Sequence, residues 1–209
     1  MSIFAVGDIH GLYDRLVALI DKLPLKDTDL LVFLGDYIDR GEDSKKVIDF
    51  LIRLKKNRNE DLTVFLKGNH EALFLDFLSG KNQDIFFLNG GRKTVESYTV
   101  NGSFYLPDDH LNFFKSLLLY YETDDYIFVH AGLKPAVALE YQNEEDLLWI
   151  RGDFIFSDYN FGKKVIFGHT PMKSLMPYFD RNKIGIDTGA VYGGFLSAIM
   201  LPEETIFTA

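Results

Sequence analysis

The amino-acid sequence predicts an α/β fold with two β-sheets, and three features of the chain support this prediction. In the first third of the 209 residues, short apolar runs alternate with helical patterns, an order typical of parallel strands joined by crossover helices. Residues 80–118 interrupt that order and are rich in glycine, asparagine and aromatic residues. The residues after 160 contain several strand-like runs with tight turns between them. We therefore expect one domain over residues 1–209, with a second sheet and an insertion at 80–118.

Three strands and three helices are predicted before the insertion. The strands are apolar runs, each followed within two residues by glycine: Ile3–Val6, Leu30–Leu34 and Val64–Leu66. Between and after these runs, apolar residues recur at the spacing of an amphipathic helix. This spacing predicts helices over Leu12–Leu23, over Val47–Leu54 with Ser44 as its cap, and over Glu71–Leu78.

The rest of the chain is predicted to be rich in strands. The insertion is expected to contain one or two short helices. After it, Tyr120–Glu122 and Tyr126–Val129 flank three polar residues, a pattern that predicts a hairpin. Five further strand-like runs follow: Val165–Phe167, Met176–Phe179, Ile184–Ile186, Phe195–Met200 and Thr205–Phe207.

The composition limits the class of protein. The chain is 47% hydrophobic and 25% charged, with 19 Phe and 11 Tyr, which fits a packed core and not a disordered chain. The net charge of −9 argues against a nucleic-acid partner, because phosphate contacts need a basic face. The absence of cysteine excludes disulfides and thiolate metal sites. No signal-peptide pattern and no apolar run near the roughly 20 residues that span a bilayer occur, so we expect a cytoplasmic protein without a membrane partner.

Five of the predicted strands end beside a glycine and a side chain that can bind a metal ion or a phosphate. Because parallel strands bring their carboxyl ends to one edge of a sheet, where open α/β sheets bind ligands, we expect these side chains to converge. Four of the five histidines belong to this set, whereas His110 is expected to be a packing histidine. The five segments are GDIHG at 7–11, GDYIDRG at 35–41, KGNHE at 67–71, HAG at 130–132 and GHT at 168–170.

The ligand types at these strand ends suit hard or borderline divalent ions, because they offer oxygen and nitrogen without sulfur. Asp8 and His10 are two residues apart and can share one ion, while Asp36 has two oxygens and can bridge two ions. Two ions about 3.5–4 Å apart can activate water and stabilise the leaving oxygen in phosphoryl transfer. Three residues would complete the second site: Asn69, His130 and His169.

Taken together, the five segments resemble the metallophosphoesterase superfamily and, within it, the phosphoprotein phosphatase family. They occur in the family's order and approximate spacing over residues 7–170, and HAG in place of HGG is closer to the bacterial and phage lambda phosphatase branch. The resemblance implies a calcineurin-like fold: a two-sheet β-sandwich flanked by helices, with residues 80–118 as a small cap insertion. It implies two divalent ions, with Mn²⁺ favoured over Fe or Zn²⁺. The implied ligand sets are Asp8, His10 and Asp36 for one ion, and Asp36, Asn69, His130 and His169 for the other.

The resemblance also implies catalytic roles for individual residues. His70 matches the family's general acid and Asp39 the carboxylate that orients it, and a carboxylate favours the charged form of a neighbouring imidazole. Arg40 and Arg151 match phosphate-gripping arginines, whose planar fork suits bidentate contact with phosphate oxygens. Lys67 stands where protein phosphatases of the family commonly have arginine, so it keeps the charge without the fork.

The insertion at 80–118 is the expected wall of the substrate site. Substrate binding is expected at Asn69, Lys67 and Arg92. Asn89 and Lys93 are further side chains that can meet anions. Four aromatic residues can either stack against a substrate or form the core of the insertion: Phe86, Phe87, Tyr98 and Tyr105.

Three functions remain open at this point. The favoured one is a bacterial-type Ser/Thr protein phosphatase that hydrolyses phosphomonoesters by direct attack of a metal-bridging hydroxide. The alternative is a symmetric dinucleoside polyphosphate hydrolase acting on diadenosine tetraphosphate, whose family shares all five segments. A non-catalytic binding module of the same fold typically loses His70 or a metal ligand, and none is lost here. The expected partner is therefore a phosphoprotein or a small phosphorylated substrate, and the acidic charge disfavours a nuclease.

Overall fold

The computed structural model describes residues 1–209 as an α/β structure. Twelve strands occur along the chain: β1 Ile3–Val6, β2 Leu30–Phe33, β3 Thr63–Phe65, β4 Thr99–Val100, β5 Ser103–Phe104, β6 Tyr120–Glu122, β7 Tyr126–Val129, β8 Lys164–Phe167, β9 Tyr178–Phe179, β10 Lys183–Gly185, β11 Ser197–Leu201 and β12 Thr205–Thr208. The α-helices are α1 Tyr13–Lys22, α2 Ser44–Asn57, α3 Asn69–Leu78, α4 Gln83–Leu88, α5 Gly91–Ser97, α6 Asp108–Lys115, α7 Glu144–Trp149 and α8 Gly152–Ile155. None of the helices combines the length and the apolar composition needed to span a bilayer.

Ten of the strands form two five-stranded sheets. The first sheet has the order β12-β11-β1-β2-β3 and the second the order β6-β7-β8-β10-β9. In each sheet three neighbouring strands are parallel: β1, β2 and β3 in the first, and β7, β8 and β10 in the second. The parallel strands of each sheet therefore bring their carboxyl ends to a common edge.

The packing makes these sheets the two halves of a β-sandwich with helices outside. On β2 every residue is buried, because Leu30 and Val32 face the second sheet while Leu31 and Phe33 face the helices. The inner cluster joins residues of the first sheet to Phe128 and other apolar residues of the second sheet. The predicted fold class, a two-sheet sandwich flanked by helices, is confirmed.

The elements before the insertion lie where the sequence predicts them, with one local error. The helix after β2 begins at Ser44, and Asp43 precedes it as the capping residue without a side-chain cap. The prediction that Ser44 caps this helix was wrong, because its hydroxyl accepts from the backbone N–H of Asp39 at 3.1 Å instead. Ser44 is fully buried, so its hydroxyl serves a tertiary contact.

Two predictions for the later part of the chain need correction. The insertion contains three helices, α4, α5 and α6, and the hairpin β4–β5, where one or two helices were expected. The last two strands do not join the second sheet: β11 pairs antiparallel with β1, and β12 with β11. The apolar runs predict that these two strands exist. They do not predict which sheet the strands join, because that depends on which edge strand is still unpaired when the rest of the chain has folded.

Candidate functional site

The strand ends of both sheets place potential metal ligands close together. Ligand atoms of His10, Asp36 and His70 lie within 4.8 Å of one another, and so do those of Asp36, His130 and His169. The first of these groups contains His70 and not Asp8, which the sequence predicts as the third ligand. All five side chains are buried. Asp36 belongs to both groups, which is the position that a carboxylate bridging two ions would occupy.

Backbone carbonyls orient two of these histidines toward Asp36. Nδ1 of His10 lies 3.0 Å from the carbonyl oxygen of Ile38, and Nδ1 of His130 lies 2.9 Å from that of Leu34. A carbonyl only accepts, so each Nδ1 carries the proton and each Nε2 is unprotonated and can act as an acceptor or a metal ligand. These Nε2 atoms lie 3.5 Å and 3.4 Å from the Asp36 carboxylate oxygens. Second-sphere hydrogen bonds of this kind are typical of metal-binding histidines.

The side-chain oxygen of Asn69 faces two imidazoles. Oδ1 lies 3.0 Å from Nε2 of His130 and 2.9 Å from Nδ1 of His169. Burial lowers the pKa of His130 to about 3, so this ring is neutral and its Nε2 is an acceptor. Two acceptors that face each other in a buried place are stabilised by a cation between them. The donor set at this position therefore fits a divalent ion.

Asp8 lies beside His169 and carries a raised pKa. The backbone N–H of His169 donates to both oxygens of Asp8, at 3.1 and 3.0 Å. Burial raises the pKa of Asp8 well above its usual range, and the negative charges of Asp187 and Asp36 raise it further. Several buried carboxylates so close together are costly unless a cation neutralises them. Gly168 permits this approach, because a Cβ there would clash with the Asp8 carboxylate.

Asp187 is a residue of this cluster that the sequence reasoning missed. It follows β10 and is 9% exposed, and the backbone N–H of Gly189 donates to its Oδ1 at 2.9 Å. Burial raises the pKa of Asp187 to about 6. The signal was present, because the apolar run Ile184–Ile186 ends in Asp187 with glycine two residues later, the same pattern as the five recognised strand ends.

The backbone of the site adopts a conformation that is uncommon for residues other than glycine. The left-handed region costs about 1–2 kcal/mol per residue with a Cβ, and such residues concentrate at functional sites. Glu71 holds part of this backbone, since its carboxylate accepts from the N–H of Asp36 at 2.9 Å and of Tyr37 at 2.8 Å. The site residues with positive φ are His10 (47°), Asp36 (53°), Asp39 (72°), Arg40 (70°) and His169 (63°).

His70 and Asp39 form a buried pair. Nδ1 of His70 lies 2.6 Å from Oδ2 of Asp39, and both side chains are completely buried. Nε2 of His70 has no hydrogen-bond partner and lies 3.9 Å from Oδ2 of Asp36. Burial raises the pKa of Asp39 to about 7, and burial together with the cations of Arg40 and Arg151 lowers the pKa of His70. Because Nε2 has no partner and faces Asp36, it is available to an oxygen of a ligand bound at the Asp36 cluster.

Two arginines lie at the edge of this cluster. Nη1 of Arg40 lies 2.5 Å from Nε2 of His10, and its guanidinium carbon lies 5.4 Å from the ring centroid of Tyr192. Nη1 of Arg151 donates to the carbonyl of His169 at 3.2 Å. Arg151 is solvent-exposed, so its guanidinium can meet a ligand that approaches from outside.

The expected substrate-binding residues outside the metal cluster are not drawn into it. Lys67 forms an ion pair with Glu144 at 3.1 Å, and Arg92 is exposed on α5. Lys93 pairs with Glu42 at 2.8 Å. Only Arg92 is exposed, whereas the two lysines are half-buried and already paired with glutamates.

The aromatic residues of the insertion divide between its core and its surface. Phe86 and Tyr98 are completely buried, whereas Phe87 is 42% and Tyr105 is 63% exposed. Phe86 and Tyr98 therefore belong to the core of the insertion, which is one of the two roles expected for these aromatic residues. His110 is buried as well, and its ring nitrogens contact Tyr98 and Asp49, which fits a packing histidine.

Comparison with known families identifies the fold and the general chemistry. Residues 1–193 match the family model described as calcineurin-like phosphoesterase. The chain belongs to this family. The calcineurin-like phosphoesterases are hydrolases that use a dinuclear centre of divalent metal ions, and the Asp36 cluster is consistent with such a centre.

Similar proteins within the calcineurin-like phosphoesterases bear two different names. The chain is 29% identical to an asymmetrical bis(5′-nucleosyl)-tetraphosphatase PrpE of Geobacillus sp. (strain WCH70), over 99% of this chain and 93% of the relative. It is 30% identical to serine/threonine-protein phosphatase 1 of Salmonella typhimurium, over 93% of this chain and 89% of the relative. A crystal structure described as a proposed diadenosine tetraphosphatase superposes with a TM-score of 0.78 at 24% identity, covering 100% of this chain and 92% of the other. This last likeness concerns the fold.

Proposed function

We propose that the protein is a two-metal phosphatase that hydrolyses phosphomonoesters without a covalent enzyme intermediate. The observation that carries this proposal is the position of His70. Its Nε2 is buried, has no partner, and faces Asp36, the residue common to both groups of potential ligands. An acid at this position lies beside the place where two ions would hold a phosphoryl group.

The proposed metal ligands are the residues at the strand ends. Asp8, His10 and Asp36 would hold one ion, and Asp36, Asn69, His130 and His169 the other. When bound, the two ions would activate a water molecule and stabilise charge on the phosphoryl and leaving oxygens. We favour Mn²⁺, with Fe or Zn²⁺ as alternatives, because the ligands are oxygen and nitrogen atoms without sulfur.

The remaining steps fall to side chains of the chain itself. Arg40 and Arg151 would bind the phosphoryl oxygens, because a guanidinium offers two parallel donors to two oxygens. His70 in its doubly protonated form would donate the proton from Nε2 to the departing oxygen and return to the neutral ring, while Asp39 accepts from Nδ1 and so fixes the orientation of the ring. Residues 80–118, as an insertion of the same domain, would form one wall of the substrate site.

The first candidate substrate is a phosphoserine or phosphothreonine protein. Support comes from the 30% identity to the Salmonella typhimurium relative named a serine/threonine-protein phosphatase. Arg151 is exposed at the edge of the cluster, and an exposed cation can meet a phosphate carried on a large partner.

The second candidate is an asymmetrical dinucleoside tetraphosphate. The relative named PrpE is of the asymmetrical type, so we propose this type beside the symmetric one that the sequence predicts as an alternative. The specific observation in its favour is Tyr192, whose ring is 59% exposed and lies next to the guanidinium of Arg40. An exposed aromatic ring beside a phosphate-binding cation suits a nucleobase linked to phosphate.

A substrate panel separates the candidates. The protein is stripped with chelator, reloaded with Mn²⁺, and tested on a phosphoserine peptide, diadenosine tetraphosphate and p-nitrophenyl phosphate. A protein phosphatase should have its highest kcat/KM on the phosphoserine peptide. An asymmetrical hydrolase should convert diadenosine tetraphosphate to ATP and AMP, and a symmetric one to ADP alone. Full activity with metal shown to be absent by elemental analysis would refute the two-metal proposal.

A further inference from the structure

We propose that Thr94, a residue of the insertion, is a positioning residue for the general acid and acts through Asp39. The inference rests on the proposed function, in which His70 donates a proton to the leaving group. It connects the insertion at 80–118 to the chemistry by a direct hydrogen bond.

The hydroxyl of Thr94 and the ring of His70 bind the two oxygens of one carboxylate. Oγ1 of Thr94 lies 2.5 Å from Oδ1 of Asp39, and Nδ1 of His70 lies 2.6 Å from Oδ2. None of these three side chains is accessible to solvent. Because no water can replace the hydroxyl, Thr94 alone among side chains satisfies Oδ1, and it determines how Asp39 presents Oδ2 to His70.

The positions of the protons around Thr94 follow from the donors that are present. The ionised carboxylate of Asp39 offers only acceptors, so Thr94 donates its single hydroxyl proton to Oδ1. Oγ1 of Thr94 also lies 2.9 Å from the backbone nitrogen of Asp39 and 3.1 Å from Oγ of Ser44. The Ser44 hydroxyl must then donate to Thr94, and the backbone N–H of Asp39 is shared between Oγ1 of Thr94 and Oγ of Ser44. The two hydroxyl hydrogen bonds therefore run in one direction, from Ser44 to Thr94 and from Thr94 to Asp39.

This arrangement stabilises a backbone conformation that the sequence alone does not favour. Asp39 and Arg40 have φ of 72° and 70°, in the left-handed region. Thr94 contacts Asp39 at both its N–H and its carboxylate, and the carbonyl of Gly90 accepts from the N–H of Arg40 at 3.3 Å. The insertion therefore binds both residues of the turn that carries the orienting carboxylate and one of the proposed phosphate-binding arginines.

The test compares three variants in the reloaded enzyme. Thr94→Val removes the hydroxyl and keeps the shape, Thr94→Ser restores the hydroxyl, and Thr99→Val is the matched control. Thr99 is exposed in the same insertion and donates only to the carbonyl of Val95, at 2.7 Å. We expect Thr94→Val to lower kcat on a phosphoserine peptide about 10–100-fold, the range typical of lost second-sphere hydrogen bonds. The loss on p-nitrophenyl phosphate should be several-fold smaller, because that leaving group needs little protonation.

Rescue and spectroscopy distinguish positioning from a merely structural role. Thr94→Ser should recover most of kcat, and Thr99→Val should match wild type on both substrates. In the metal-free protein, the proton NMR signal of the His70 Nδ1–H should move in Thr94→Val and stay in place in Thr94→Ser. Should Thr94→Val fail to fold, Ser44→Ala, which removes the donor to Thr94, should show the same substrate dependence with a smaller loss.

The outcomes separate this inference from the proposed function. If wild type hydrolyses the peptide but the Thr94→Val loss is equal on both substrates, or absent, the positioning role is refuted. If wild type hydrolyses no phosphate ester with any of the metals, the proposed function fails. In that case the NMR signal still decides whether Thr94 controls the His70–Asp39 contact.

Discussion

Nδ1 of His70 lies 2.6 Å from Oδ2 of Asp39, and the two side chains are completely buried together. The other ring nitrogen of His70 has no hydrogen-bond partner and faces Asp36. A histidine that is oriented at one nitrogen and free at the other is suited to transfer a proton at the free atom. Four predictions follow from this site, and a fifth concerns the insertion that lies beside it.

Replacing His70 by Asn should reduce turnover and leave metal binding nearly intact. We expect kcat to fall by roughly 10²–10⁴-fold, the contribution typical of general acid catalysis. The defect should be larger on a phosphoserine peptide than on p-nitrophenyl phosphate, provided that chemistry limits both reactions. Single-turnover kinetics and elemental analysis provide the measurements, with His110→Asn as the control histidine. Equal defects on both substrates would instead point to a role for His70 in positioning.

Replacing Asp36 by Asn should remove metal as well as activity. Asp36 belongs to both groups of potential ligands, so the loss of one carboxylate charge weakens both proposed sites. The measurement is the metal content of the purified protein after gel filtration without added metal. Asp14→Asn, an exposed aspartate on α1, is the matched control and should keep wild-type metal content. A variant of Asp36 with full metal content would contradict the bridging role.

A side chain at position 168 should disrupt the site without changing any ligand. The Cβ of Gly168→Ala would clash with Oδ1 of Asp8, and the carboxylate would have to move away from the cluster. We expect reduced metal content and at least a tenfold loss of activity, because small displacements of catalytic groups are costly. Gly152→Ala is the control, since its Cβ would meet only Phe156 at 3.5 Å, an ordinary contact. Wild-type metal content in Gly168→Ala would show that Asp8 is not a ligand.

Exchanging Arg151 for lysine should weaken substrate binding although the charge is kept. The guanidinium offers a planar pair of donors that an ammonium group lacks, so kcat/KM should fall by about 10–100-fold, as expected for lost hydrogen bonds to a charged group. Steady-state kinetics on the preferred substrate measures the effect. Arg181→Lys, at an exposed position away from the cluster, should not change kcat/KM. An unchanged Arg151→Lys would remove Arg151 from the phosphate site.

The stability of the protein should fall in mild acid, in part through His110. Burial lowers the pKa of His110 in the folded protein, although the charge of Asp49 opposes the shift. Below the ordinary histidine pKa of about 6.5, the unfolded chain therefore binds a proton that the folded chain does not. The stabilisation is complete above that pH and is lost as the pH falls toward the folded pKa. Urea unfolding of the metal-free protein at pH 8 and pH 5.5 should show a smaller pH effect in His110→Gln, and an equal effect would contradict the assignment.

Much of the fold could be predicted because its signals are local. The run Ile3–Val6 coincides with β1, and Tyr120–Glu122 and Tyr126–Val129 coincide with β6 and β7. Apolar runs that end beside glycine mark strands and their ends whatever the rest of the chain does. The pairing of β11 with β1 could not be read in this way, because it depends on which strand edge remains free.

The residues of the candidate site could be named from the sequence, with Asp187 as the exception. Residue type and position after a strand were sufficient for Asp8, Asp36 and His130, since parallel strands bring such positions together. Asp187 shows the same local pattern, but its strand is placed beside β8 only in the folded protein. Asp187 raises the pKa of Asp8 because the two carboxylates are close in space, and a local sequence pattern does not contain that distance.

The sequence by itself determined the family resemblance, the two-sheet class and the set of side chains available for metal and phosphate. Only the tertiary structure decided how those side chains are oriented. The proton of His130 is directed by the carbonyl of Leu34, 96 residues away, and Asp39 receives its hydrogen bond from Thr94, 55 residues away. The physical reason is that a hydrogen bond in a buried site depends on the positions of two groups in space. The sequence specifies these positions only through the packing of the whole chain.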